Sequence, residues 1–156
     1  MDQLFLQDKD PRKYECPMPS QKVVLLQLAN GLEFIHSKQL IHGDIRPGNV
    51  LIFSSFNNGP AFVKWAGFGL YKSASKMLQS PEVTGELEWM APELLKLLLD
   101  GKSATGQGVE TDIFAAGATL FFFLTSGVHP FGTVAQQMVS NMKNFKAVNA
   151  KSKFSY

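Results

Sequence analysis

Apolar residues recur at three- and four-residue steps at Val24, Leu25, Leu28, Leu32 and Ile35, which predicts an amphipathic helix from an N-cap at Ser20 to about His36. Gly31 sits inside it at a cost of roughly 1 kcal/mol against Ala, which suggests that another backbone comes close there. Val50 to Phe53 and Ala61 to Trp65 read as two short strands of a hairpin, joined by the turn-rich stretch from Ser54 to Pro60. Pro92 opens a helix running through Leu94 to Leu99, apolar nearly all round and so expected to be buried or in contact. Asp112 to Thr125 predicts a core helix ended by Ser126-Gly127. Beyond it Val134, Met138 and Met142 share one helical face, and from Lys143 to Tyr156 the periodicity gives way to Lys, Asn and Ser, predicting a poorly ordered tail. Met1 to Pro19 is a polar, Pro-punctuated leader. Leu70 to Glu88 is irregular and exposes Ser73, Ser75, Ser80 and Thr84 by composition, and Gly101 to Gly108 reads as a linker because it lacks a complete phosphate-binding glycine pattern. The sum is an α+β chain, mainly helical, with short β-hairpins.

The densest chemistry lies between Leu40 and Ile52. Two apolar runs that read as short buried strands flank a loop carrying His42, Asp44, Arg46 and Asn49, with Pro47 and Gly48 forcing a turn. An Asp can take a proton from a hydroxyl, and an Asn five residues later can offer a carbonyl oxygen to a hard cation. Those are parts for phosphoryl transfer. On these residues alone, a surface hairpin in which Asp44 and Asn49 only cap turns is the simpler reading.

At 156 residues with 13 Phe, the chain fits one domain with a real core. Its net charge of +2 is scattered without a basic block, which excludes a phosphate-tracking nucleic-acid surface. Cys16 is single, so no internal disulfide forms and a reducing, cytoplasmic setting is expected. His36, His42 and His129 lack metal-ligand spacing with it, and His36 reads as a surface or partly satisfied histidine. The N-terminus has no basic run before an apolar stretch. The longest apolar run, Ile113 to Leu124, falls short of the ~20 residues needed to span a bilayer, so no membrane segment is expected.

The sequence His42-Gly-Asp-Ile-Arg-Pro-Gly-Asn49 resembles the catalytic loop of protein kinases. Three further matches follow in kinase order: Val63 to Leu70 (VKWAGFGL) resembles a strand entering Asp-Phe-Gly, Gly85 to Glu93 (GELEWMAPE) the end of the activation segment, and Asp112 to Gly117 (DIFAAG) the start of the central helix. The run from Thr111 to Gly132 is most similar to the unfolded-protein-response sensor kinase/endoribonucleases of the inositol-requiring type. The resemblance implies a partial protein-kinase-like fold, the mainly helical C-terminal lobe with the upper lobe absent. Residues 1–19 would form a leader and 20–132 the partial lobe, with catalytic loop 42–49, activation segment 67–93 and core helix 112–125. Residues 133–156 would form a short helix and mobile tail.

By the same resemblance, Asp44 matches the substrate-hydroxyl acceptor, Arg46 a basic residue near the transferred phosphate, and Asn49 a Mg²⁺ ligand. His42, Glu93 and Asp112 match structural anchors, and ATP and Mg²⁺ are the implied cofactors. The departures decide the expectation. Gly67 replaces the Asp of Asp-Phe-Gly, leaving Gly67, Phe68 and Gly69 a degenerate nucleotide site, and no Asp or Glu lies between Asp44 and Glu82. Asn49 alone is a weak metal ligand, and a lost electrostatic contact of this kind costs about 3 kcal/mol, a rate factor of about a hundred. Gly43 stands where many kinases carry an Arg that grips a phosphorylated activation loop, and no Arg follows Glu93 to pair with it, so Glu93 is expected to be costly if buried. No Gly-rich loop or phosphate-gripping Lys precedes His42. The chain is therefore expected to be a kinase-domain fragment, pseudokinase-like and inactive alone with Asp44 and Arg46 vestigial, acting if at all by association with a protein partner or a related kinase. The alternative is a Ser/Thr kinase completed by an upper lobe from elsewhere; a third reading is an incomplete product of a longer gene.

Overall fold

A computed structural model describes residues 18–53, 61–67, 87–102 and 108–149. The expectations for the leader with Cys16, the 54–60 turn, Phe68, Gly69, the four hydroxyl residues of the activation segment, and the tail from 150 lie outside these residues. In chain order the elements are helix α1 (Gln21–Ser37), a 3₁₀ turn (Pro47–Asn49), strands β1 (Val50–Phe53) and β2 (Phe62–Trp65), and helices α2 (Pro92–Leu99), α3 (Val109–Leu124) and α4 (Ala135–Lys143). Among the described residues the chain is thus mostly helical, with four helices and one two-stranded antiparallel sheet.

α1 buries Val24, Leu28, Leu32 and Ile35, the apolar face its periodicity predicts. Ser20 is its N-cap residue, yet its side chain makes no capping bond; its carbonyl accepts the Val24 N–H at 3.0 Å. β1 and β2 pair with Val50 opposite Trp65 and Phe53 opposite Phe62. Strand alternation turns Val50, Val63 and Trp65 inward and leaves Leu51, Phe53 and Phe62 exposed. A two-stranded hairpin is marginal by itself. Here α1 holds it: the Gln27 Oε1 accepts the Val63 N–H at 2.8 Å, and the Trp65 indole N–H donates to the Leu28 carbonyl at 2.8 Å.

That indole also explains Gly31. A Cβ at residue 31 would meet the Trp65 Cδ1 at 3.4 Å, so the close neighbour is a side chain and not the backbone that the sequence suggested.

α3 begins three residues before the expected Asp112. The Thr111 hydroxyl donates to the Gly108 carbonyl at 2.8 Å and accepts the Gly108 N–H at 3.1 Å, fixing the first turn there. Asp112 consequently lies a turn inside the helix, with its carboxylate buried. The apolar run is not uniformly buried, since Ile113 is 57% exposed while Ala115, Ala116 and Phe123 join the core around α1 and the hairpin. α2 is likewise less enclosed than its leucines suggest, with Leu99 exposed and Leu94, Leu95 and Leu98 buried.

A second core gathers Leu95 of α2, Phe131, and Met138 and Met142 of α4, with Phe114 stacked on Phe131. Val134 does not share that face: it is the extended N-cap residue of α4, outside the helical repeat, and is exposed. Residues 144–149 correct the expected disorder from Lys143 onward. They turn back so that the Asn149 backbone N–H donates to the Pro130 carbonyl at 3.0 Å and its side chain to the His129 carbonyl at 2.8 Å.

Each of the four α-helices among the described residues stops in the same way. The second residue past the C-cap returns its N–H to the carbonyl five positions back: Leu40 to Ile35, Lys102 to Leu97, Gly127 to Phe122 and Lys146 to Asn141. The residue before each of these has positive φ, and only Gly101 among Gln39, Gly101, Ser126 and Phe145 is glycine.

His129 is 4% exposed in this second region, with its ring edge-on to Trp89 at 4.8 Å and its Nδ1 accepting the Phe131 N–H at 3.3 Å. Burial pushes its pKa down to about 4, with the Glu88 carbonyl opposing. Between the ordinary histidine value of 6.5 and about 4 the unfolded chain binds a proton that the folded chain refuses, so stability falls as pH falls through that window. The loss amounts to about 3 kcal/mol when complete. Buried His42, also pushed down, adds in the same direction, whereas half-buried Glu88, pushed up, works against it. Urea midpoints at pH 7, 5.5 and 4 should show the decline, and His129→Asn, whose Oδ1 can replace Nδ1 as acceptor, should flatten it. An unchanged slope in that variant would exclude His129 as the source.

Candidate functional site

The 40–49 loop is held from below by α3. The Asp112 carboxylate, on a residue only 2% exposed, accepts the His42 N–H at 2.8 Å, the Gly43 N–H at 2.9 Å and a third bond from His36 Nε2 at 2.9 Å. A buried carboxylate needs this many donors. His36 is therefore tied to the loop's support rather than left on the surface. Gly43 takes the turn between these donors with φ of 76°.

His42 is buried with its ring edge toward Trp65 at 6.2 Å. Burial holds its pKa below the usual range, with Asp112 and the Ala66 carbonyl opposing, and a neutral ring suits its Nδ1, which accepts the Asp44 N–H at 3.3 Å. Ile45, 3% exposed, anchors the next residue in the α1 core. Asp44 and Arg46, on either side of it, are partly exposed.

Asp44 is 27% exposed and both its oxygens are engaged: Arg46 Nε lies 3.3 Å from Oδ1, and Asn49 Nδ2 donates to Oδ2 at 2.6 Å. Asn49 Nδ2 also donates to the Asp44 main-chain carbonyl at 2.7 Å. Both partners can only accept, so the nitrogen must face them. The 3₁₀ turn started by Pro47 sets this five-residue return, and the Asn49 carbonyl accepts the Ala66 N–H at 2.8 Å, fastening the loop to the end of β2.

Gly67 follows directly, with φ of 84°. A Cβ there would lie 2.7 Å from the Asn49 Cγ and Oδ1 and 2.8 Å from its Nδ2. The amide lies over the glycine, in space a side chain at 67 would need. Asp44 also borders a cleft of about 50 Å³ walled by Ile45, Trp89, Met90, Leu94 and Ala115, with room for a few waters or a small side-chain tip.

Loop residues 42–49, Gly67 and Asp112 are thus brought together, while Glu93 stands apart. It is exposed in the first turn of α2, so the expected cost of burying it without a partner does not arise. Phe68 and Gly69 lie outside the described residues. The parts played by Trp65 and His36 carry no local signal in the sequence; only the long-range contacts bring them into view.

A family model for the protein kinase domain matches residues 2–156. The chain belongs to the protein kinase domain family. It is 40% identical over 116 residues to the human serine/threonine-protein kinase/endoribonuclease IRE2, covering 71% of this chain and 12% of that protein. It is 33% identical over 132 residues to the Schizosaccharomyces pombe sensor for unfolded proteins in the ER ire1, and 36% identical over 117 residues to the Danio rerio serine/threonine-protein kinase SBK1. These cover 70% and 74% of this chain and 12% and 28% of those proteins. The chain therefore spans between 12% and 28% of the length of these relatives.

Kinases in general use ATP with Mg²⁺. The donors at this site do not fit the cation. Asn49, its nitrogen bonded to Asp44, offers a single neutral oxygen, Asp44 is already paired with Arg46, position 67 has no side chain, and no cluster of three His, Cys, Asp or Glu able to hold a metal occurs among the described residues. No helix of the described residues is long and apolar enough to cross a membrane.

Proposed function

We infer that this chain is a non-catalytic, pseudokinase-like lobe that acts through association with a protein partner, such as a related kinase, in the cytoplasm. The observation that carries the reading is the Asn49 amide lying over Gly67, where the family's metal carboxylate belongs. Without an anionic ligand there, charge developing on a transferred phosphoryl group goes largely unscreened. The frame is nevertheless intact, since Asp112 holds the loop in a defined shape. A preserved frame without its charge apparatus suits recognition better than chemistry. Exposed Leu51, Phe53 and Phe62 on the open face of the hairpin, with Val23, Leu26 and Phe34 along α1, supply apolar surface for contact.

One observation favours the Ser/Thr kinase alternative: Asp44 remains partly exposed beside a small cleft, as a hydroxyl acceptor would need to be. Incubation of the chain with labelled ATP, Mg²⁺ and a generic protein substrate separates the two. No transfer above background is expected; transfer abolished by Asp44→Ala would overturn the reading. Light scattering across a concentration series tests the association half, where a monomer at every concentration and no change on adding a related kinase would count against it.

A further inference from the structure

We propose that the exposed turn after α4, Lys143 to Val148, adsorbs to an anionic lipid surface, with Phe145 entering the interfacial layer between two lysines. The inference is independent of the non-catalytic reading. It starts from Phe145, whose placement the fold does not explain. This residue makes the left-handed reversal that closes α4, with φ of 52°, where glycine or asparagine is the usual choice and a bulky side chain is strained. Asn144, one position earlier, would accept that conformation more readily. Such strain persists where surrounding packing over-determines it. Here the ring is 75% exposed and stacks on no other ring among the described residues, so nothing in the core gains from it.

The turn itself is firm. The Phe145 N–H donates to the Met142 carbonyl at 3.0 Å, the Lys146 N–H to the Asn141 carbonyl at 2.8 Å, Met142 is fully buried beneath, and Asn149 ties the far end to His129 and Pro130. Phe145 is thus presented outward from a fixed base.

The charge around it has one sign. From Ile113 to Tyr156 there is no Asp or Glu, while Lys143, Lys146, Lys151 and Lys153 all fall in that stretch. A lysine in the last turn of a helix is ordinary, since it faces the negative end of the helix dipole. That does not account for a second lysine past the turn with an apolar ring between the two. Neither Lys143 nor Lys146 has an ion-pair partner among the described residues. Residues 143–148 are all exposed, Val148 at 46%, and none lines the cleft beside Asp44, so the segment projects rather than encloses. A projecting apolar tip among cations matches a surface that is anionic outside and apolar just beneath, which is the headgroup layer of an acidic bilayer. The lysine stems can follow the ring inward while their ammonium groups stay at the phosphates. One ring and a few cations give reversible adsorption, not a span.

The test is cosedimentation of the full chain with vesicles of phosphatidylcholine mixed with phosphatidylserine, and of phosphatidylcholine alone. Binding is expected to the mixed vesicles only and to fall as salt is raised. No binding at low salt, or equal binding to neutral vesicles through the exposed hairpin, would overturn the proposal. Phe145→Gly is the informative variant, because glycine accepts the positive φ. It should leave Tm unchanged or raise it while weakening vesicle binding about tenfold. Unchanged binding would refute the proposal, as would a fall in Tm, which would give the ring a role in the fold. Lys143→Gln and Lys146→Gln should each weaken binding about fivefold, and no loss from either would count against it. A single-stranded oligonucleotide can also stack on an exposed ring, and polyglutamate offers charge alone. Both should bind at least about tenfold more weakly than the mixed vesicles at equal charge, and equal or tighter binding would sink the lipid assignment. Phosphoryl transfer by the chain would defeat the functional reading and leave this inference standing.

Discussion

Asp112→Ala is expected to cost about 3–5 kcal/mol of stability and to release the 42–43 backbone. The carboxylate is buried and accepts three bonds, two from the main chain of the loop and one from His36. Removing it strands the His42 and Gly43 N–H groups, each costing roughly 1–3 kcal/mol when left buried and unpaired. Their loss also frees the neighbours that carry Asp44. Hydrogen exchange at the His42 and Gly43 amides, read beside urea unfolding, checks this directly: both should rise toward the rates of frayed segments, while Leu28 and Leu32 in α1 stay protected relative to them. Asp112→Asn keeps one accepting oxygen but turns an NH₂ toward existing donors, so its loss should fall between wild type and Ala. A loss under about 1 kcal/mol for Ala would mean the loop holds its shape from the β1 side alone.

Trp65→Ala is expected to cost a similar amount, about 3–5 kcal/mol, by a different route. The side chain fills the space between β2 and α1, touches the bare face of Gly31, stands against His42 and makes a 2.8 Å bond to the Leu28 carbonyl. Truncation opens a cavity between the two elements that meet there. Trp65→Phe should lose only about 1–2 kcal/mol, because it keeps most of the volume and the Leu28 carbonyl remains inside its helix. Chemical denaturation followed by circular dichroism distinguishes these outcomes. Equal losses for Ala and Phe would assign the effect to the hydrogen bond rather than to packing.

The elements most legible in the sequence are those whose signal is local. The buried face of α1 follows from the spacing of Val24, Leu28, Leu32 and Ile35, and the hairpin follows from two short apolar runs around a turn. The loop residues stand out because several polar types crowd between two apolar runs, although only the second is a strand and Leu40 of the first is exposed rather than buried. What sequence reasoning missed depends on contacts distant along the chain. Gly31 was assigned a backbone neighbour because nothing local reveals that Trp65 points at it. The sequence places the start of α3 at Asp112, since the pairing of Gly108 with Thr111 carries a weaker signature than Asp. Glu93 was expected to suffer from a missing Arg, but the first turn of α2 points it to water. Asn149 fastens to a turn twenty residues earlier, and composition alone reads that stretch as loose. At the site, the motif reads Gly67 as standing where the resemblance implies a carboxylate. That the Asn49 amide lies over it is a matter of three-dimensional placement and invisible in one dimension.

The four matching helix ends have a consequence for how the chain tolerates change. Each helix is closed by its own final turn of backbone, with three of the four reversals made by Gln39, Ser126 and Phe145 rather than glycine. A connector lengthened or shortened beyond such a closure leaves the helix boundary where it was, so insertions just past residues 40, 102, 127 and 146 alter linkage without unwinding what precedes them.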